Sequence, residues 1–166
     1  MDFELAVWRE DLVPSLAENA NDARIVRWLN DGFPVPYTIN DAERFIRAAV
    51  QDAGSLNRAI LSEGRVIGGI GVTFRRGAMR YAADIGYWLT PEEWGKGIMT
   101  QAVRRMCDLT FAVTDIIRIQ AEVFAPNAAS LRVLEKCGFV QEGTLRKGAY
   151  KRGEFFDSRI YGLVKE

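Results

Sequence analysis

The chain has 166 residues, 48% apolar and 27% charged, enough for one domain with its own core and no metal or disulfide staples. Its 22 basic and 22 acidic side chains cancel, which removes the broad electrostatic case for binding nucleic acid or an anionic membrane. There is no histidine and there are two cysteines, so a Ser-His-Asp triad and a Cys/His zinc site are both excluded, and no metal is expected.

Phe3, Leu5 and Val7 alternate with acidic or small residues, as in a first strand. This start lacks the basic and apolar runs of a signal peptide, and no segment reaches the length of a membrane span, so a cytoplasmic protein is expected. Asp11 is expected to cap a helix with Pro14 in its first turn. A short helix then carries Ile25, Trp28 and Leu29 on one face and stops at Asn30-Asp31-Gly32, before a loop marked by Pro34 and Pro36. Asn40 followed by Glu43 predicts a capping box, and the helix behind it puts Phe45, Ile46, Ala49 and Val50 on one side.

The period then changes to two. Arg58 to Leu61, Arg65 to Phe74 and Tyr81 to Leu89 read as strands of an antiparallel meander, turning at Ser62-Glu63-Gly64 and Arg75-Arg76-Gly77. Gly69-Ile70-Gly71 falls mid-strand and marks close packing or a bulge. A helix is predicted from about Gly97 to Val113, with Met99, Ala102, Val103, Met106 and Val113 on its apolar face. Ile117 to Phe124 is a strand, and Ala128 to Lys136 a helix capped by Asn127 and stopped by Gly138. Two strands close the chain, near Phe139 to Leu145 and Phe155 to Val164. Between them, Arg146, Lys147, Lys151 and Arg152 read as a solvated turn beside Glu154 and Asp157. Cys107 lies in an apolar helical pattern and Cys137 at a helix end; both read as buried thiols, because no histidine is present to activate them. The order of elements predicts one mixed α/β domain over residues 1–166.

The segment richest in chemistry runs from Ile85 to Thr100, where a strand enters a glycine-rich turn that opens a helix. Backbone N–H groups in the first turn of a helix bind anions, and Lys96 adds a charge, so a phosphate or pyrophosphate site is predicted; the plainer reading is a turn that needs two glycines. A P-loop is ruled out because Gly97, not Ser or Thr, follows Lys96, and a Rossmann loop because Gly69-Ile70-Gly71 opens no helix.

Taken in order, several segments resemble the GNAT N-acetyltransferase superfamily and its RimJ/RimL-like branch over nearly the whole chain. They are Pro36-Tyr37-Thr38, Ile85-Gly86-Tyr87-Trp88-Leu89, Trp94-Gly95-Lys96-Gly97-Ile98, Asn127 with Ala129-Ser130, Leu134-Glu135-Lys136, Gly138-Phe139, Glu142-Gly143 and Tyr161-Gly162-Leu163. The resemblance implies a GNAT fold of the mixed α/β class, α+β in character. Its sheet would be mostly antiparallel and twisted, splayed between its fourth and fifth strands and flanked by helices. The resemblance also implies acetyl-CoA as co-substrate. The pantetheine arm would enter the splay beside backbone groups of Trp88 and Leu89. The pyrophosphate would sit on N–H groups of Gly95, Lys96, Gly97, Ile98, Met99 and Thr100, after Trp94 at the first motif position. Asn127 would bond the pantetheine.

Leu134 stands where many members carry a thiolate-protonating Tyr, and Ser130 is the substitute the branch implies. RimL-like members carry a Glu at the place of Ala149, beside Tyr150. The catalytic candidates are therefore Ser130 and Tyr150 as acids, and Asp84 and Glu122 on the splayed strands as bases. Without an evident strong base, an α-amine suits the site better than lysine, whose higher pKa makes the neutral form roughly 3.4 kcal/mol costlier at pH 7. The expected partner is thus an amine acceptor, a peptide N-terminus first and a small-molecule amine (aminoglycoside, amino sugar or polyamine) second. A CoA-binding sensor without catalysis is the other alternative, and the resemblance leaves a homodimer open.

Overall fold

The computed structural model describes residues 2–166. In chain order it runs through β1 (Glu4–Ala6), α1 (Val13–Ala20), α2 (Ala23–Val26), α3 (Ile39–Gln51), β2 (Ser55–Ser62), β3 (Arg65–Phe74), β4 (Ala82–Leu89), α4 (Ile98–Val113), β5 (Arg118–Phe124), α5 (Ala128–Lys136), β6 (Val140–Lys151) and β7 (Glu154–Val164). Hydrogen bonding orders the strands β1-β2-β3-β4-β5-β7-β6 in a seven-stranded sheet. β1 and β2, β5 and β7, and β7 and β6 pair antiparallel, whereas β4 and β5 run parallel. The class is the mixed α/β one expected. The parallel ladder joins Ala82, Ala83 and Asp84 to Arg118, Ile119 and Gln120 and ends there, although β4 runs on to Leu89 and β5 to Phe124. Among the described residues no helix is long and apolar enough to cross a membrane.

The chain divides into two compact units. One runs to Gly71 and takes up Gly86–Ala102; the other comprises Val72–Ile85 and Val103–Glu166. The first unit has a core of Trp8, Leu12, Leu16, Ala42, Ile46, Leu61 and Val66, with Phe33 and Trp88 packed against it. Two glycines of β3 admit the Trp88 residue. A Cβ at position 68 would come within 2.5 Å of its carbonyl oxygen, and one at 69 within 2.7 Å of its indole nitrogen. The close-packing reading of Gly69 is therefore the one realised. The β2–β3 turn places both Glu63 and Gly64 at positive φ, which matches the twist of a two-residue hairpin.

Several local expectations shift. Asp11 does not cap α1. It lies in a 3-10 turn, Glu10–Leu12, and its carboxylate takes the Arg9 guanidinium at 3.0 Å; the helix begins at Val13 with no side-chain cap. The second helix is one turn long and capped by Asp22, so Ile25 is buried while Trp28 and Leu29 lie beyond it, half-buried. The capping box belongs to Thr38 and Asp41, not to Asn40 and Glu43: Thr38 Oγ1 accepts the Asp41 N–H at 3.2 Å and the Asp41 carboxylate accepts the Thr38 N–H at 2.9 Å. Because α3 begins at Ile39, Asn40 and Glu43 fall inside it. Val50, in its last turn, is exposed, and Phe45 meets Trp8 edge-on with ring centroids 5.0 Å apart.

The second unit shows a period of two cleanly. Ala83, Ile85, Ile119, Ala121 and Val123 are buried, and Asp84, Arg118, Gln120 and Glu122 alternate with them on the opposite face. Along α4, Met99, Ala102, Val103, Met106 and Cys107 are buried, but Val113, at its last residue, is exposed. Asn127 caps α5 through Oδ1 and the Ser130 N–H, Gly138 follows at φ +87°, and Arg104 donates to the Lys136 carbonyl at 2.6 Å. β6 is longer than expected and reaches Lys151. Only Lys151 and Arg152 border the hairpin turn, which is Arg152-Gly153, both at positive φ. Arg146 and Lys147 belong instead to an irregularity between Leu145 and Ala149, where the Lys147 N–H donates to Asp157 at 2.9 Å. Cys107 is buried and its thiol is pushed up to about 12 by that burial; Cys137, half-buried, is also raised by burial.

Gly68→Ala should lose about 1–3 kcal/mol in urea unfolding because its methyl meets a backbone carbonyl, while Gly143→Ala, with nothing within 4 Å of the added carbon, should stay within about 0.5 kcal/mol. In a thiol-reagent titration at neutral pH, Cys107 should react only after unfolding and Cys137 slowly before it.

Candidate active site

The turn into α4 lies in the first unit. After β4 the chain makes a 3-10 turn, Pro91–Glu93, then Trp94, and then alternates: Gly95 at φ +74°, Lys96, Gly97 at φ +79°. A Cβ on either glycine would meet nothing within 4 Å, so it is the left-handed backbone, not crowding, that calls for glycine here. Residues 94–97 are exposed, while Ile98 and Met99 are buried and anchor the start of the helix. The Gln101 N–H makes the first helical bond, to the Gly97 carbonyl at 3.3 Å. The N–H groups from Gly97 to Thr100 therefore lie upstream of that bond, at the positive end of the helix dipole, with no acidic residue in the first turn.

The turn's side chains brace it from within. Trp94 donates its indole N–H to the Leu89 carbonyl at 2.8 Å. Lys96 pairs with Glu93 at 3.0 Å, and Glu92 takes both the Thr90 hydroxyl and Arg24. Its own backbone N–H, and then Thr90, hold the Glu92 carboxyl below the usual range. The acidic residues beside the turn are thus matched by cations, and the space around Gly95 and Gly97 is open. That fits the diphosphate of a coenzyme A.

The end of β4 sorts Trp88 from Leu89. The Trp88 carbonyl lies against Gly68 on β3, and its ring sits 5.6 Å from Phe33. The Thr90 N–H bonds Ile67 of β3 at 2.7 Å. Backbone direction alternates along a strand, so the Leu89 N–H aims away from β3. Trp88 contributes core packing, and Leu89 has the main-chain donor on the far side.

In the second unit, Asn127 Oδ1 accepts the Ser130 N–H at 3.3 Å, which brings these two predicted residues together at the start of α5, with Ser130 half-buried. Asp84 is held by both ends of the Arg75 guanidinium, at 2.8 and 2.9 Å. Glu122 is exposed and accepts the Ser158 hydroxyl at 2.7 Å. Tyr150 is set apart: it stands exposed near the β6–β7 turn, its ring 5.0 Å from that of Phe155, beyond the last β5 pairing at Phe124 and Ser158. The sequence reading missed Arg75, Ser158 and the Arg118–Glu142 pair, whose two bonds measure 3.0 and 2.6 Å. The one available signal was Ser158 itself, a lone hydroxyl between aromatic and apolar positions of a strand.

A family model described as an acetyltransferase (GNAT) domain matches residues 3–140. Fold, turn and match together define the class, and the chain belongs to the GNAT acetyltransferase family. Its relatives include the uncharacterized N-acetyltransferase YoaA of Bacillus subtilis (strain 168), 39% identical over 50% of this chain and 47% of YoaA. Another is the probable N-acetyltransferase YjcK of the same strain, 40% identical over 62% of this chain and 57% of YjcK. The matched stretches thus span about half of these relatives' lengths. Among solved structures, RimL, a ribosomal L7/L12 alpha-N-protein acetyltransferase in complex with coenzyme A, superposes with a TM-score of 0.88 at 23% identity, covering 98% of this chain and 94% of RimL.

The Arg118–Glu142 pair carries a pH prediction. The guanidinium holds the Glu142 carboxyl below its ordinary range. A depressed folded value means that the stabilisation is complete above the unfolded carboxylate value, about 4.3, and is lost as pH falls through the depressed one. Urea unfolding between about pH 6 and 3 should therefore show a shallower acid loss for Glu142→Gln than for wild type.

Proposed function

We propose that the protein is an acetyl-CoA-dependent N-acetyltransferase acting on the α-amino group of a protein or peptide. The observation that carries this reading is the exposed turn at Gly95 and Gly97, whose main-chain donors open a helix with no acidic residue in its first turn. Family membership supports the chemistry, and the likeness to RimL supports the acceptor class.

Acetyl-CoA, when bound, supplies the thioester that an amine attacks. In the first unit, N–H groups from Gly95 to Thr100 would hold the diphosphate, and the Leu89 N–H would polarise the acyl carbonyl. Glu122 takes one proton from the acceptor ammonium. The freed lone pair forms the new C–N bond as the C–S bond breaks, and Ser130 delivers a proton to the departing thiolate. The second proton, shed by the new amide nitrogen, returns to the Ser130 oxygen, so that amide, coenzyme A thiol and the proton on Glu122 account for every atom.

Thiol release with a panel of amines at neutral pH tests the reading: peptide N-termini should be acetylated faster than lysine or polyamines, and the reverse order would overturn the acceptor assignment. Gly97→Ala forces a side chain into the left-handed region, at about 1–2 kcal/mol, and should raise the acetyl-CoA Kd about tenfold in calorimetry. Ser130→Ala should lower kcat about tenfold or more while the acetyl-CoA Kd stays within about twofold.

A further inference from the structure

Three carboxylates lie on or beside the polar face of β4, β5 and β6 in the second unit, and the structure treats them differently. Asp84 is clasped by Arg75 through two hydrogen bonds. Glu142 is clasped by Arg118 in the same way, and Gly162 makes this possible: a Cβ there would collide with the Glu142 carboxylate and lie 2.7 Å from the Arg118 guanidinium. Among the described residues, Glu122 makes no ion pair within contact distance, and Arg75, already committed to Asp84, acts on it only from farther off. One of its oxygens accepts the hydroxyl of Ser158, which is fully buried, and the side chain is otherwise exposed. Ser158 sits opposite Phe124 in the β5–β7 ladder, and Glu122 opposite Ile160, so the hydroxyl reaches Glu122 along a same-face diagonal.

We infer that Ser158 is the positioning residue for Glu122, and that this pair, rather than Asp84, receives the ammonium of the acceptor; the inference rests on the acyltransfer reading above. The physical reasons are three. A carboxylate clasped by a bidentate guanidinium attracts an incoming ammonium less than one that feels the same guanidinium only at longer range. A hydroxyl has one proton, so Ser158 engages one oxygen of Glu122 and leaves the other as an acceptor. A buried donor on a paired strand has little freedom, so it fixes the direction of a side chain that would otherwise sample several rotamers in water.

Steady-state kinetics on the full chain with acetyl-CoA and a peptide N-terminus tests this through a double-mutant cycle. Glu122→Gln should lower kcat/KM about a hundredfold, and Ser158→Ala about tenfold, chiefly in kcat. Ser158→Cys, which keeps the volume and weakens the donor, should fall between wild type and Ser158→Ala. The double variant should be no slower than Glu122→Gln alone, because a residue acting through Glu122 has nothing left to position. Glu142→Gln, with the same charge change on the same face, should stay within about threefold of wild type. The inference is overturned if the Ser158→Ala loss persists undiminished in the Glu122→Gln background, which marks a purely structural role, or if Glu122→Gln retains wild-type kcat/KM. If wild type itself releases no thiol with any amine, the acyltransfer reading fails and takes this inference with it, an outcome separable from the first two because it precedes any substitution.

Discussion

The chain must leave β4 at Leu89 and enter α4 at Ile98 through a turn whose backbone visits the left-handed region twice. Gly95 and Gly97, both left-handed and one residue apart, meet that demand. Any residue with a Cβ would cost roughly 1–2 kcal/mol at each place and would tend to rotate the peptide planes on either side. Neighbouring residues of the first unit support this pair of dihedrals: Ile98 and Met99 are buried behind the turn, Trp94 is tied back to Leu89, and Lys96 is tied to Glu93. In the function proposed, affinity for the diphosphate would come from peptide groups at the head of the helix. The Met99 side chain is buried, so only its backbone belongs to the surface of the turn.

The second unit solves a different problem, that of placing acids on an open sheet face without letting them repel. Two of the three are matched by arginines that arrive from neighbouring strands or turns, and one of those pairs needs the missing Cβ of Gly162. Glu122 is matched by a hydroxyl instead. A hydroxyl orients a carboxylate but leaves its charge in place, so Glu122 keeps a charge that no cation touches directly. In a chain with equal numbers of acidic and basic side chains, that local imbalance is made by pairing and not by composition.

Much of this was legible in the sequence, for identifiable reasons. The strand over 118–124 and the helix over 98–113 carry clean periods, and the strand over 65–74 is a continuous apolar run bounded by turns. The turn itself was legible because Gly95 and Gly97 stand just before a helical period, and both take positive φ. Caps were less so: Thr38-x-x-Asp41 and Asn40-x-x-Glu43 offer the same chemistry two residues apart, and the choice depends on where Tyr37 enters the core. Helix ends misled for the same reason, since Val50 and Val113 continue an apolar stripe past the point where anything lies behind it. The ion pairs were not legible at all. Arg75 and Asp84 are nine residues apart and Arg118 and Glu142 twenty-four, and each pairing is set by strand register, which no local pattern reports.

Register also decides how structural and chemical duties share one residue. Asn127 uses its Oδ1 to accept the Ser130 N–H, closing the start of α5, and that leaves its amide NH2 as a donor. Capping and the proposed pantetheine bond would therefore use different atoms and not compete. Leu89 divides likewise: its carbonyl is taken by Trp94, while its N–H aims away from β3. In both residues one atom fixes the backbone and the other is left facing outward. A substitution that removes the first atom removes the orientation of the second, so loss of function alone cannot separate the two duties. Only a change that preserves one atom and deletes the other can do so.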